Sequence, residues 1–139
     1  MKKVITAVIT VVMAVSMVLA MTACGATPEE KLKSFIESET FQSQIDSYKS
    51  SFGSTLDVDV KADENKLIYE FTYKSQIEDD DVEVMKEQLD TTFEANAATY
   101  EDTANELKSE LKIEDPVIVI QALNADGTTI YEKSFKATE

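Results

Sequence analysis

The spacing of apolar residues constrains the fold of this chain most strongly, because it alternates between the periods of helices and strands. After residue 27, apolar side chains recur first at three- and four-residue steps and then at every second position, and this order occurs twice. Steps of three or four place side chains on one face of a helix, whereas steps of two place them on one face of a strand. The sequence therefore predicts the element order helix, strand, strand, helix, strand, strand.

The first helical segment begins with a strong start signal. Thr27, Pro28 and Glu30 supply an N-cap, a proline at the first helical position and the glutamate of a capping box. Further along, a five-residue step from Ile36 to Phe41 separates two apolar stripes and rotates the second away from the first. We therefore expect a kink or a break near Ser38–Thr40.

The remaining elements follow from the same patterns. Alternating residues predict strands, unbroken three- and four-residue steps predict a helix, and short polar stretches predict the turns between strands. The expected elements are a hairpin with strands at 56–61 and 66–74, one continuous helix from 79 to about 112, and a hairpin with strands at 117–123 and 128–136.

These elements predict an α+β fold, in which a four-stranded, mainly antiparallel sheet carries the helices on one face. The order αββαββ consists of two helix-hairpin units. The sequence Ile-Tyr-Glu at 68–70 recurs at 130–132, an offset of 62 residues, but the helices show no comparable match. An internal duplication and a chance similarity of two strands therefore both stay open.

The first 24 residues carry an export signal. Lys2 and Lys3 precede an uncharged run from 4 to 23, and small residues lead up to Cys24, the only cysteine. This pattern is typical of a signal peptide, and Cys24 stands where bacterial lipoprotein signals place the residue that is lipidated. We predict a signal peptide at 1–23, a lipidated N-terminus and short tether at 24–27, and a single acidic domain at 28–139.

A lipid on Cys24 would hold the mature protein on the extracytoplasmic face of the cell membrane. Two acyl chains anchor a protein stably, whereas one chain exchanges. With only Gly25 and Ala26 as linker, the folded part would lie within ~10 Å of the headgroups, the reach of an extended chain. An uncleaved transmembrane anchor is the alternative, because about 20 apolar residues can span a bilayer.

The composition limits the classes of partner and chemistry. Without residues 1–23, the formal charge is −16, because all acidic residues but only eleven of the lysines lie after that point. Such a surface repels nucleic acid, so we expect no nucleic-acid partner. The chain contains no arginine, histidine or tryptophan, and it shows no phosphate loop, zinc spacing or nucleophile elbow. We expect no cofactor, no metal and no catalytic residue.

Two acidic motifs are weak candidates for cation sites. Asp79, Asp80 and Asp81 could gather a divalent cation, but acids at a helix start are more often stabilised by the helix dipole. Asp57 and Asp59 could act together with the acids at 63–64, although a solvated strand face is the simpler explanation.

Two further motifs have structural explanations. The stretch 124–127 lacks the ligands of a calcium loop and is interpreted as a turn. Tyr69, Tyr73, Tyr131 and Phe135 fall on one strand face, where aromatic rings could hold a ligand, although such a stripe facing helices ordinarily forms core.

A partner-facing patch is predicted on the other side of the sheet. Strand alternation places Ile68, Val117, Val119 and Ile130 on the face away from the helices, bordered by acidic residues. An exposed apolar patch with a polar border is typical of an interaction site. The alternative is that part of the first helical segment folds over this face.

Four features of the sequence occur together: the export signal, the small acidic domain, the Ala-Asp-Gly-Thr turn at 125–128 and the final Tyr-x-x-x-Phe at 131–135. With these features the chain resembles a family of small lipoproteins of low-GC Gram-positive bacteria that carries a domain of unknown function. The resemblance implies a membrane lipoprotein and supplies no catalytic residue.

Our leading hypothesis is a non-catalytic binding or accessory module that contacts an unknown protein near the membrane. The alternatives are a membrane-tethered, carboxylate-dependent hydrolase and a small envelope ligand-binding protein.

Overall fold

The structure is a computed structural model that describes residues 27–138. The predictions for the signal peptide and for Cys24 lie outside the described residues. The helices are α1 (Pro28–Glu37), α2 (Glu39–Phe52), α3 (Asp79–Ala95) and α4 (Ala97–Glu110), and the strands are β1 (Leu56–Asp63), β2 (Lys66–Tyr73), β3 (Val117–Leu123) and β4 (Thr129–Lys136).

The first helical segment is broken where the sequence predicts it. The capping box is present: the Glu30 backbone N–H donates to Thr27 Oγ1 at 3.2 Å, and the Thr27 N–H donates to Glu30 Oε2 at 3.2 Å. Ser38 then ends α1 in an extended conformation, and its hydroxyl accepts a hydrogen bond from the Phe41 N–H at 3.4 Å. One serine thus ends the first helix and caps the second.

The prediction of one continuous helix from 79 to 112 is wrong, because the helix breaks at Asn96. This residue leaves helical geometry at φ −109° and ψ 12°, and its side chain donates to the carbonyl of Thr92 at 2.8 Å. The apolar stripe continues across the break, since the rings of Phe93 and Tyr100 lie 5.8 Å apart. Periodicity alone could not locate this break.

Within residues 27–138, no helix combines the length and apolar character needed to cross a bilayer.

The four strands form one mixed sheet in the order β1-β2-β3-β4, which confirms the α+β class. The β1–β2 and β3–β4 pairs are antiparallel hairpins, as predicted, but the central β2–β3 pair is parallel. A parallel pair requires a crossover connection, and here α3 and α4 carry the chain from the end of β2 to the start of β3. An internal duplication has no support beyond the repeated strand motif.

The core lies between the helices and one face of the sheet. All four helices contribute side chains to the same apolar cluster as the inward residues of the strands. Phe41 of α2 contacts Tyr69 of β2 with ring centroids 6.5 Å apart, so the first helical segment packs on the inner face. The alternative in which that segment covers the outer face is therefore wrong.

Candidate functional site

The outer face of the sheet consists of the strand side chains that point away from the helices. The strand registers arrange these side chains in four rows that run across the sheet from β1 to β4. The first row is Asp63, Lys66, Val117 and Lys136; the second is Lys61, Ile68, Val119 and Ser134; the third is Asp59, Glu70, Gln121 and Glu132; the fourth is Asp57, Thr72, Leu123 and Thr129. None of these side chains belongs to the core cluster of the described residues.

Three of the four predicted patch residues lie on this outer face. Ile68 and Val117 are half-buried, whereas Val119 is only 4% exposed. Ile130 departs from the prediction: it is 3% exposed and belongs to the core. The cause is an irregularity in the β3–β4 pairing, which makes Ile130 an extra residue and interrupts strand alternation. The patch is therefore smaller and less apolar than the sequence suggests.

Polar contacts cross the outer face between neighbouring strands. Lys61 Nζ lies 3.1 Å from Glu70 Oε2, and Gln121 Nε2 donates to Glu132 Oε2 at 2.9 Å. At the start of β1, Lys74 Nζ lies 3.8 Å from Asp57 Oδ1. The outer face therefore carries charges of both signs around a small apolar centre.

A second concave feature is an open groove of about 540 Å³ between α3 and β4. Its walls carry four carboxylates and one lysine, and its apolar part comes from the start of β4. The lining residues are Glu83, Lys86, Glu87, Asp90, Thr129, Ile130, Tyr131 and Glu132.

Two of the lining residues, Asp90 and Tyr131, belong to a polar cluster. Asp90 Oδ1 accepts hydrogen bonds from the Tyr131 hydroxyl at 3.0 Å and from Lys133 Nζ at 3.2 Å, and Lys133 also donates to Glu94. The hydrogen bonds from Lys133 and Tyr131 lower the pKa of Asp90, and the hydrogen bond to Glu94 raises the pKa of Lys133. Both groups are therefore charged at neutral pH, so Asp90 is a poor general acid.

The candidate cation motifs lie on two different elements, α3 and β1. Asp79, Asp80 and Asp81 form the first turn of α3, where the helix dipole favours negative charge; the first two are exposed and Asp81 is half-buried. Asp57 and Asp63 lie at opposite ends of β1, so the acids of β1 do not all lie together. Among residues 27–138, no three acidic, cysteine or histidine side chains are placed to hold a metal ion.

The turn at 124–127 has a structural role that sequence analysis missed. Asn124 is 3% exposed, its Oδ1 accepts from the Ile77 N–H at 2.7 Å, and its Nδ2 donates to the Ile77 carbonyl at 2.9 Å. This pair of hydrogen bonds fixes the loop before α3 to the β3–β4 turn. The sequence shows a turn asparagine, but it does not show this partner 47 residues away.

The predicted aromatic stripe is core. The ring of Tyr131 stacks on Phe93 at 5.7 Å, and the ring of Phe135 stacks on Tyr100 at 4.8 Å. Tyr69 and Tyr73 are 2% and 1% exposed. The stripe therefore stabilises the contact between the sheet and the helices.

Comparison with known families gives a match over residues 32–135 to the profile described as Domain of unknown function (DUF4854). The chain belongs to the DUF4854 family. No curated protein and no solved structure gave a significant match. The match covers most of α1, β1 to β3 and β4 as far as Phe135, and it leaves the function to be argued from the residues.

Proposed function

We propose that this DUF4854 protein is a lipid-anchored lipoprotein on the extracytoplasmic face of the cell membrane, where it acts as a non-catalytic module through protein contacts. The anchor is a lipid on Cys24, and the low-GC Gram-positive lipoprotein resemblance of the sequence agrees with it. The proposal rests on the signal pattern before Cys24 and on the geometry of the first folded residues after it.

The observation that carries the proposal is where the folded domain begins. Thr27 is already held by two hydrogen bonds of the capping box, three positions after Cys24. Three extended residues reach ~10 Å, so a lipid on Cys24 would keep α1 beside the headgroups. A domain held this close can contact partners that lie at the membrane surface.

The chemistry of the groove supports a binding role better than a carboxylate-dependent hydrolase. Glycosidase-type hydrolysis needs one protonated and one ionised carboxyl group at the bond that is cleaved. The hydrogen bonds that lower the pKa of Asp90 keep it ionised. The carboxyl group whose pKa is raised, mainly by burial, is Glu106 on α4, which is not among the residues that line the groove.

A change of tether length tests the proposal. Ten Gly/Ser residues inserted between Ala26 and Thr27 would allow the domain to move up to about 30 Å further from the membrane. The control carries the same ten residues after Glu139, which adds the same mass and leaves the tether unchanged. Chemical cross-linking in intact membranes, read by mass spectrometry, compares the two with the unmodified protein.

We expect the insertion to reduce cross-links to membrane-embedded proteins severalfold, while the control keeps them. Equal cross-linking in all three proteins would contradict a role that depends on proximity to the membrane. Circular dichroism of each protein checks that the domain is folded.

A further inference from the structure

Strand β4 is an open edge of the sheet. Among residues 27–138, it pairs with β3 on one side and with no strand on the other. In an antiparallel pair, every second residue exchanges its backbone hydrogen bonds with the partner strand. The N–H and C=O groups of the remaining residues of β4 point away from β3, and such an edge is a template for a further strand.

The groove between α3 and β4 runs along this edge. Its described lining residues all belong to these two elements, and they include four consecutive residues of β4, Thr129 to Glu132. Thr129 and Glu132 lie on the outer face of the sheet, whereas Ile130 and Tyr131 belong to the core on the inner face. Because the groove contacts side chains of both faces, it passes along the side of the strand where the two faces meet.

The two walls of the groove are long enough for an extended segment. The four residues of β4 span about 13 Å, at 3.3 Å per residue. The lining residues of α3, from Glu83 to Asp90, span about 10 Å, at 1.5 Å per residue. About three or four residues of an extended chain therefore fit between the helix and the edge strand.

The charge of the groove favours a basic segment. Glu83 and Glu87 are exposed, lie one helical turn apart on α3, and form no ion pair within residues 27–138. Like charges four residues apart on a helix repel each other. A positively charged side chain placed between α3 and β4 would relieve this repulsion. The remaining charged lining residues are Lys86, Asp90 and Glu132.

We propose that the groove binds an extended, basic segment of a partner protein as an additional strand on the open edge of β4. Backbone hydrogen bonds to β4 hold the segment, as in other cases of strand addition. Its lysine or arginine side chains lie against the carboxylates of α3. A second copy of this chain is a poor occupant, because the chain itself has a formal net charge of −14.

The same edge resists other strands. Ile130 is an extra residue in the β3–β4 pairing, and Glu132 places a negative charge beside the groove. Bulges and charges at an edge hinder the pairing of unsuitable strands. This inference rests on the proposed function, whose protein contacts it assigns to one groove and to one class of partner segment.

Peptide binding to the full-length protein tests the proposal. The protein is purified from membranes in a nonionic detergent and is added, at up to about 0.5 mM, to a fluorescent peptide whose anisotropy reports binding. The peptide has about eight residues and alternates lysine with valine, the pattern of an extended strand with one basic face. One comparison peptide has glutamate in place of lysine. The other keeps the lysines and is methylated at every backbone nitrogen, so it cannot donate backbone hydrogen bonds.

Two protein variants form a matched pair. Glu83→Gln with Glu87→Gln removes charge from the wall of the groove, and Glu106→Gln with Glu110→Gln is the control. Both variants change two exposed glutamates four residues apart on a helix, but the control pair is on α4 and does not line the groove. Each variant removes a repulsion within its helix, so both should stay folded, which circular dichroism checks.

We expect the basic peptide to bind, and the acidic and methylated peptides to bind at least about tenfold more weakly. The groove variant should weaken binding of the basic peptide about fivefold, while the control binds as the unmodified protein does. Amide hydrogen exchange, measured by NMR with the basic peptide bound, should slow in β4 and not in β1, the other edge strand.

Any of four results would overturn the inference. They are no saturable binding of the basic peptide, equal binding of the methylated peptide, an equal loss of binding in the groove variant and the control, and slowed exchange in β1 instead of β4. Equal binding of the methylated peptide would mean that the groove attracts positive charge without adding a strand.

The intact mass of the same preparation shows whether Cys24 carries lipid. Lipid on Cys24 without peptide binding would reject only the role of the groove. Peptide binding without lipid would reject the anchored function and keep the groove as a binding site.

Discussion

The tyrosines on the inner face of the sheet differ in what their hydroxyl groups contact. Within the described part of the chain, the buried hydroxyls of Tyr69 and Tyr73 have no hydrogen-bond partner. The Tyr131 hydroxyl, in contrast, donates to Asp90 at 3.0 Å. A buried polar group without a partner costs about 1–3 kcal/mol, whereas a partnered one contributes to stability. The same residue type therefore has opposite effects at two positions.

This difference predicts opposite results for two conservative substitutions. Tyr69→Phe removes an unpartnered hydroxyl, so the free energy of unfolding should stay the same or rise. Tyr131→Phe removes the hydrogen bond to Asp90, so the free energy of unfolding should fall. Urea unfolding followed by circular dichroism measures both. A greater loss of stability in Tyr69→Phe than in Tyr131→Phe would show that the Tyr69 hydroxyl has a partner.

Individual residues also show what the sequence could and could not predict. The capping box at Thr27 and Glu30 is local, so the sequence identifies it directly. The hydrogen bonds between Asn124 and Ile77 join residues that only the folded chain brings together. The burial of Ile130 depends on an irregularity of strand pairing, which alternation cannot reveal.

At the scale of elements, apolar periodicity predicted which segments are helices and strands but not how they are joined. The five-residue step before Phe41 showed a break because it changes the helix face. The step of four from Phe93 to Ala97 keeps the face, so the break at Asn96 left no trace in the pattern. The parallel pairing of β2 and β3 is set by the crossover through α3 and α4, and side-chain spacing does not encode strand direction.

Helix α3 anchors the second half of the core through Phe93. This side chain is 1% exposed, and its ring lies 5.8 Å from that of Tyr100 and 5.7 Å from that of Tyr131. Phe93→Ala should lower the free energy of unfolding by about 3–5 kcal/mol, because a buried ring is replaced by a cavity. Val84→Ala on the same helix is the control, since Val84 is 49% exposed. Equal melting temperatures for the two variants would mean that α3 packs on the sheet through another face.

For the whole molecule, the buried tyrosines predict unfolding in alkali. Burial raises the pKa of Tyr69, Tyr73 and Tyr100 above the ordinary value of 10.0. The unfolded chain therefore releases these protons first, so stability is complete below about pH 10 and falls as the pH rises above it. Tyrosinate absorbance and circular dichroism should change together in a pH titration. Formation of most tyrosinate before the circular dichroism changes would show that these rings are accessible in the folded protein.

At the same scale, the candidate site was only partly predictable. Alternation along the strands placed the outer face correctly for Ile68, Val117 and Val119, because these residues lie in regular pairing. The separation of basic and acidic rows depends on the register between four strands, including the parallel pair. The sequence lists the charges, but the sheet decides which of them share a row.

The central claim, a domain held at the membrane by lipid on Cys24, is tested most directly by the intact mass of the protein isolated from its own membranes. The account predicts a chain that begins at Cys24 and carries a diacylglyceryl group on the sulfur. A chain that retains residues 1–23 with an unmodified cysteine would contradict the account.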